Sequence, residues 1–214
     1  LRLYLASTSP ARLATLRAAG IEPLLLSPGV DEDAVVEAER PATAEDMVQL
    51  LARVKAEAVV GRAVDGGPID GFILGGDSAF ELDGRVYGKP HLPEVARERW
   101  RMQRGREGLL HSGQWLIDSR GGALATSGPV AVGGVSTARV RFANDITDDE
   151  IDAYIATGEP LRVAGAFTID SLGAPFVESV DGDPHAVVGL SLAMLRKLVG
   201  RFGVAWPELW NRVS

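Results

Sequence analysis

The residues best placed to do chemistry lie between Phe72 and Pro90, where an apolar run ends on Gly75-Gly76 and delivers a carboxylate, Asp77, beside a hydroxyl, Ser78. Further along, Lys89 stands between Gly88 and Pro90, two residues that fix the backbone and let a ligand come close. An acid and a cation presented at strand edges are suited to a metal ion and a phosphate. Asp77 reads either as a Mg²⁺ ligand or water-activating group, or as a turn residue bonded to its own backbone. A second anion-binding candidate is Ser7-Thr8-Ser9-Pro10-Ala11-Arg12. Hydroxyls and free N–H groups at a strand-to-helix turn attract phosphate, and Arg12 can fork onto its oxygens. A capped helix with a solvated arginine explains the same residues. Glu32, in the run Val30-Asp31-Glu32-Asp33, reads as part of a solvated acidic loop, and Lys55 as a surface residue of a helix.

Two familiar motifs fail on spacing. Gly84-Arg-Val-Tyr-Gly88-Lys89-Pro90 has three residues between its glycines where a P-loop has four, and proline where Ser or Thr must meet Mg²⁺. The serine-hydrolase elbow fails because Phe80 occupies the final glycine position after Ser78. His91, His111 and His185 have no helical metal-ligand spacing and read as loop and surface residues.

The elements that must position these groups follow from periodicity and punctuation. Leu3 to Ala6 reads as a buried strand, and Ser9-Pro10 as an N-cap followed by proline at the first helical position, opening a helix that runs to Gly20. Pro23 to Ser27 reads as a strand. Thr43 and Asp46 resemble a capping box for a helix carrying Met47, Leu50, Leu51, Val54 and Ala58 on one face and ending near Gly61. Ala63 to Gly71 reads as a loop, Phe72 to Leu74 as a strand. Asp83-Gly84 then turns a hairpin between Phe80–Leu82 and Arg85–Tyr87, because both central positions need positive φ. A helix opens at Pro93, strands cover Leu109 to Asp118 and Ala123 to Phe142, and Thr147 with Glu150 caps a helix stopped by Gly158. Short strands around Ala166 to Ile169 and Pro175 to Val180 precede a last helix from Ser191 to Arg201. The predicted fold is α/β: a mixed twisted sheet with hairpins and flanking helices, in one elongated, two-lobed domain over residues 1–214 with a central cleft.

Composition narrows the class. At 46% hydrophobic residues the chain can build a real core, and 22 Lys plus Arg against 29 Asp plus Glu, a net charge of −7, disfavours nucleic acid as a partner. The absence of cysteine excludes disulfides and thiolate chemistry. No window approaches a membrane span, and the apolar start is too short for a secretory signal, so the chain reads as soluble and cytoplasmic with no membrane partner. Trp206, Leu209 and Trp210 read as packing on the same chain. Oligomeric state stays open, a homodimer included.

Taken in order, Leu5-Ala6-Ser7-Thr8-Ser9-Pro10-Ala11-Arg12, Val30-Asp31-Glu32, Lys55-Ala56, Gly76-Asp77-Ser78, Gly88-Lys89-Pro90, Gly158-Glu159-Pro160 with Ala164-Gly165-Ala166-Phe167, and Asp183-Pro184-His185 through Leu192 resemble the Maf family of nucleoside triphosphate pyrophosphatases. The order holds over nearly the whole chain. Ile21-Glu22-Pro23 and Gly189-Leu190-Ser191-Leu192 look most like actinobacterial members. The resemblance implies hydrolysis of a nucleoside triphosphate to monophosphate and pyrophosphate with a divalent cation, Mg²⁺ or Mn²⁺. It implies Asp77 as catalytic acid position, Glu32 as its acidic and metal-binding partner, and Arg12, Lys55 and Lys89 as a phosphate clamp, with Ser7 and Ser9 donating hydrogen bonds. The resemblance places Ser78 and Asp170 at positions that vary with nucleotide choice and Phe167 among the substrate-binding residues; Asp170 reads either as a contact to a base edge near Phe167 or as a turn residue. The family members that prefer dTTP and UTP carry Arg, Thr and Gln where this chain has Ala11, Ser78 and Asp170, so the base preference stays open; housecleaning of non-canonical or pyrimidine triphosphates is the expected role. His111-Ser112-Gly113 is a milder departure, since Ser112 keeps the hydroxyl. A non-catalytic nucleotide-binding regulator of cell division is the alternative that the same resemblance brings.

Overall fold

A computed structural model describes residues 1–121 and 130–212. In chain order the elements are β1 (Leu3–Ala6), α1 (Pro10–Ala18), β2 (Leu24–Leu26), α2 (Glu32–Glu39), α3 (Ala44–Glu57), β3 (Ala63–Val64), β4 (Gly67–Pro68), β5 (Phe72–Leu82), β6 (Arg85–Tyr87), α4 (Pro93–Gln103), β7 (Glu107–Asp118), β8 (Val130–Phe142), α5 (Asp148–Ala156), β9 (Val177–Asp181), α6 (Pro184–Val188) and α7 (Leu192–Gly200). The fold is mixed α/β, with strand order β2-β1-β5-β7-β8-β9 and β6 pairing with β5. The chain divides into two compact units: residues 1–77, 112–135 and 189–214, and residues 78–111 and 136–188.

In the first unit β1 pairs in parallel with β2 and with the start of β5, Ala6 standing opposite Gly75. Its apolar residues form two clusters. One gathers Leu3, Leu5, Leu16, Phe72, Leu74, Leu116, Leu195 and Leu198; the other gathers Tyr4, Ala6, Ala56, Val59, Ile73 and Ile117. Odd and even positions of β5 thus enter different clusters, as period-two alternation in a strand covered on both faces requires. Ser9 caps α1 by accepting from the Arg12 N–H, with Pro10 in its first turn. The α3 stripe Val48, Leu51, Ala52, Lys55, Ala56 is buried at helical spacing, which places a lysine on an otherwise apolar face.

The second unit is aromatic. Phe80, Trp100, Phe142 and Phe167 meet edge to face at 5.0–5.8 Å, and the Trp100 indole donates to the Ala166 carbonyl at 2.8 Å. The hairpin turns at Asp83-Gly84 with φ of 52° and 73°, as its sequence demands. Thr147 and Glu150 form a full capping box, each side chain accepting the other's backbone N–H, at 3.2 and 2.8 Å.

Several expectations are corrected. The run Val30–Asp33 is loop only in its first half: Asp31 accepts from the Ala34 N–H at 3.0 Å and opens α2, whose first turn holds Glu32 and Asp33 at the positive end of the helix dipole. The Thr43 cap exists, but Asp46 binds the Thr43 hydroxyl at 2.8 Å. Ala63 to Gly71 contains a two-stranded ribbon, β3 and β4, turned at Asp65-Gly66 with φ of 52° and 80°. Ala166 to Ile169 is no strand, because Gly165 and Ala166 both take positive φ and coil the chain. Residues 174–176 form a helical turn, so the following strand starts at Val177. β8 begins at Val130; the expected start at Ala123 lies outside the described residues. His185 sits on the unpredicted short helix α6, and His111 is buried on β7, 2.9 Å from the Thr137 hydroxyl and 3.3 Å from Glu81. Among the described residues no helix is long and apolar enough to cross a membrane.

Candidate active site

Asp77 does not lie at a strand end. β5 continues unbroken through Gly75-Gly76-Asp77 to Leu82, and both glycines are there for space. A Cβ on Gly75 would stand 2.0 Å from the Ala52 carbonyl of α3, and one on Gly76 would stand 3.1 Å from Nε of Arg12. Neighbouring strand residues face opposite ways, so α3 closes on one side of the glycine pair and Arg12 on the other. Asp77 follows Gly75 by two positions and therefore faces α3.

There it meets Lys55, whose Nζ lies 2.7 Å from Asp77 Oδ1 and 2.7 Å from Glu32 Oε1. Two carboxylates, from α2 and β5, thus converge on the ammonium presented by α3, and the two carboxylate oxygens can be no farther apart than twice that distance. Lys55 and Asp77 are 6% and 7% exposed, while Glu32 keeps about half its side chain in solvent. A buried lysine needs its counter-charges; losing one strands the other in a medium that solvates it poorly. Desolvation dominates at Asp77 and raises its pKa above the usual carboxylate range, although Lys55 and Arg12 pull it down.

Arg12 is buried as well. Its Nε donates to the Gly189 carbonyl at 2.9 Å and Nη1 to the Ser7 hydroxyl at 3.1 Å, while Ser7 also accepts the Ser9 N–H at 3.2 Å. The guanidinium feels Asp77 and Glu32 electrostatically, and burial lowers its pKa. Ser7, Ser9, Arg12, Glu32, Lys55 and Asp77 all belong to the first unit.

The remaining candidates belong to the second unit. Lys89 is exposed, just after β6, and the carbonyl of the preceding Gly88 accepts a hydrogen bond from Arg99 of α4. Ser78 is half-buried on β5, and Asp170 is exposed. Phe167 is 4% exposed, its ring spent on Phe80 and Phe142 in the aromatic core. Near Asp170, Glu159 accepts from the hydroxyls of Tyr154, Thr168 and Ser171 at 2.8, 2.6 and 2.6 Å and from the N–H groups of Leu172 and Gly173 at 3.3 and 3.2 Å. Spacing alone did not reveal this hub, nor the Gly189 carbonyl under Arg12; both lie inside segments that carried the resemblance.

A family model described as Maf-like protein matches residues 2–202. The chain is 65% identical, over all of its length and 99% of the relative's, to a protein of Leifsonia xyli subsp. xyli named nucleoside triphosphate pyrophosphatase. Proteins of the same name from Salinispora tropica and Saccharopolyspora erythraea are 48% and 46% identical, each over 99% of this chain and over 88% and 98% of their own lengths. A solved structure, that of the Staphylococcus aureus Ham1 protein, aligns over 67% of this chain and 73% of its own at 12% identity with a TM-score of 0.37, too loose to bear on the fold.

Proposed function

This chain belongs to the Maf-like protein family, and from that membership and the Lys55 network we propose that it hydrolyses nucleoside triphosphates to nucleoside monophosphate and pyrophosphate. The observation that carries the reading is the convergence of Glu32 and Asp77 on Lys55 Nζ, each at 2.7 Å, in the same unit as a buried arginine tied to Ser7 and Gly189.

In the reaction a water oxygen forms a bond to the α-phosphorus, the bond from that phosphorus to the α–β bridging oxygen breaks, and pyrophosphate leaves. Asp77 takes the proton of the attacking water. Its raised pKa suits it, since a carboxylate less acidic than usual is a better proton acceptor near neutrality. Lys55 holds Asp77 in place. Arg12, presented by the first turn of α1 beside the Ser7 and Ser9 hydroxyls, is the cation for the phosphate oxygens. Lys89 enters as a further phosphate-binding cation on the strength of the resemblance, and Ser78, Phe167 and Asp170 as groups that bear on nucleotide choice; for Phe167 that action runs through the packing of the aromatic core.

Among the described residues no three His, Asp or Glu side chains gather as a ligand set. Lys55 Nζ fills the point on which Glu32 Oε1 and Asp77 Oδ1 converge, so the other oxygen of each carboxylate is the donor that fits Mg²⁺ or Mn²⁺, which take hard oxygen ligands and commonly keep waters and substrate phosphates as well. Glu32 and Asp77 would hold such an ion, which would offset phosphate charge and ease ionisation of the attacking water.

A pyrophosphate-release screen over canonical, methylated and deaminated triphosphates, with and without Mg²⁺ or Mn²⁺, tests the reading. Turnover of at least one triphosphate, lost on chelation, is expected, with non-canonical or pyrimidine substrates preferred. Saturable triphosphate binding with no release under any metal would replace catalysis by nucleotide binding alone.

A further inference from the structure

Within the first unit a cleft of about 550 Å³ opens where the C-terminal end of α1, the first turns of α7 and the C-terminal segment meet. It is lined by Gly20, Ala193, Arg196, Trp206, Trp210 and Arg212, the rest being alanine and leucine, and among the described residues no carboxylate contributes to the lining. Its outer wall is built. Asn211 accepts the Glu22 N–H at 2.7 Å and donates to the Glu22 carbonyl at 3.1 Å; the N–H groups of Asn211 and Arg212 both donate to the Gly20 carbonyl; Leu209 is fully buried. Trp210 is thereby held with 48% of its surface exposed, although an indole gains by covering its faces.

The charges of the cleft are poorly matched. Among the described residues the Arg196 side chain makes no hydrogen bond or ion pair. Arg212 comes only to 3.6 Å of Glu22, whose carboxylate Arg17 already holds through contacts of 2.6–3.0 Å. Two guanidiniums therefore face an apolar, indole-walled hollow in a protein of net charge −7. Flat apolar surface beside one unpaired guanidinium, Arg196, and a second, Arg212, that shares Glu22 with Arg17 is complementary to an aromatic ring that carries an anionic group. The volume lies in the range of small-molecule sites, roughly 300–1,000 Å³.

We propose that this cleft is a second ligand site, for a planar organic anion of nucleoside monophosphate size, its ring against Trp206 and Trp210 and its phosphate on Arg196 and Arg212. The proposal uses none of the residues around Lys55 and stands whether or not that network is catalytic. The pairing of indole faces with guanidiniums matches a small aromatic anion, and a bilayer or a second copy of the chain is an outcome that the titration below separates.

Titrating the full chain with uridine or adenosine monophosphate while following tryptophan fluorescence tests it, with uridine as the uncharged control. Saturable quenching is expected in the wild type and in Asp77→Asn. It should weaken at least tenfold in Arg196→Ala, a change at an exposed helical position that the fold tolerates, and at least tenfold when uridine replaces the monophosphate. The proposal falls if no saturable quenching occurs, if uridine quenches equally, if Arg196→Ala is unaffected, or if Asp77→Asn alone abolishes the signal. It falls equally if Trp210 becomes shielded with rising protein concentration or on anionic vesicles while the monophosphates leave it unchanged.

Discussion

Asp77 and Glu159 are carboxylates of the same chain displaced from ordinary acidity in opposite directions, and their surroundings make the direction surprising. Asp77 touches an ammonium at 2.7 Å, feels a guanidinium as well, and still has its pKa raised. Among the described residues Glu159 has no cation as a partner, yet its pKa is lowered to about 2. Desolvation is the largest influence on both. At Asp77, enclosed by α3 and Arg12, it prevails. At Glu159 it is smaller in effect than the hydrogen bonds from Ser171, Thr168, Tyr154 and the Leu172 N–H acting together. Depth of burial and number of donors therefore decide a carboxylate's acidity more than the sign of its nearest neighbour. The proposed uses differ accordingly: Asp77, a poor acid, as proton acceptor in the first unit, and Glu159, ionised down to about pH 2, as the acceptor that fixes the turn from Thr168 to Gly173 in the second.

The largest break in this comparison comes from Asp77→Asn. Pyrophosphate release should fall by about 10²–10⁴, the usual range for a positioned proton acceptor, with circular dichroism unchanged. Its stability signature is as telling. Asp77 has a folded pKa above its unfolded one, so its contribution is fully present below about pH 4 and is lost as pH rises through the folded value. Melting temperatures of wild type and Asp77→Asn should therefore shift in the variant's favour between pH 4 and 7; a shift the other way would mean that Lys55, not desolvation, controls Asp77.

Lys55→Met should destabilise the chain by about 3–5 kcal/mol at neutral pH, because it leaves the buried Asp77 with no ammonium beside it. Denaturant titration should find most of that loss recovered on acidification, as Asp77 takes up a proton. Gly75→Ala tests why Asp77 is buried so deeply. Its methyl would press on the Ala52 carbonyl at 2.0 Å, a backbone atom that yields only if α3 moves, at a cost of about 1–3 kcal/mol, and the raised pKa of Asp77 should fall toward the ordinary value as the helix is pushed away.

The smallest effect belongs to Glu159→Gln, below about 1 kcal/mol once solvent screening of this partly exposed group is counted. Its pH dependence is the mirror of Asp77→Asn. The folded pKa is lowered, so the wild-type advantage is present above about pH 4.5 and fades as pH falls to about 2. Parallel melting curves for the two amide substitutions from pH 2 to 7 should slope in opposite senses; equal slopes would remove the contrast between the two carboxylates.

Much of the scaffold was legible because local rules carry local information. Ser9-Pro10, Thr147 with Glu150 and Asp83-Gly84 behave as their capping and turn chemistry requires. The misreadings share one cause, which is that the deciding contact is distant in sequence. Asp77 looked like a strand end because Gly75-Gly76 punctuates the apolar run, but the glycines answer to Ala52 and Arg12. Lys55 looked like a surface residue because its two counter-charges come from α2 and β5. His111 looked like a loop residue because Thr137 and Glu81, its partners, are on other strands. Phe167 followed the motif that carries it, and the aromatic core claimed its ring.

What the sequence by itself determined is the inventory and the local geometry: which acids, cations and hydroxyls exist, where helices start, where hairpins turn, and, through the order of its motifs, the family. These depend on a few adjacent residues and on the covalent limits of the backbone. Only the tertiary structure decided that Glu32 and Asp77 share one buried ammonium, and that a lysine-paired aspartate is a weaker acid than a glutamate ringed by hydroxyls. Electrostatic character depends on what surrounds a group in three dimensions and how much water remains there, and neither quantity is a property of the residue or of its neighbours along the chain.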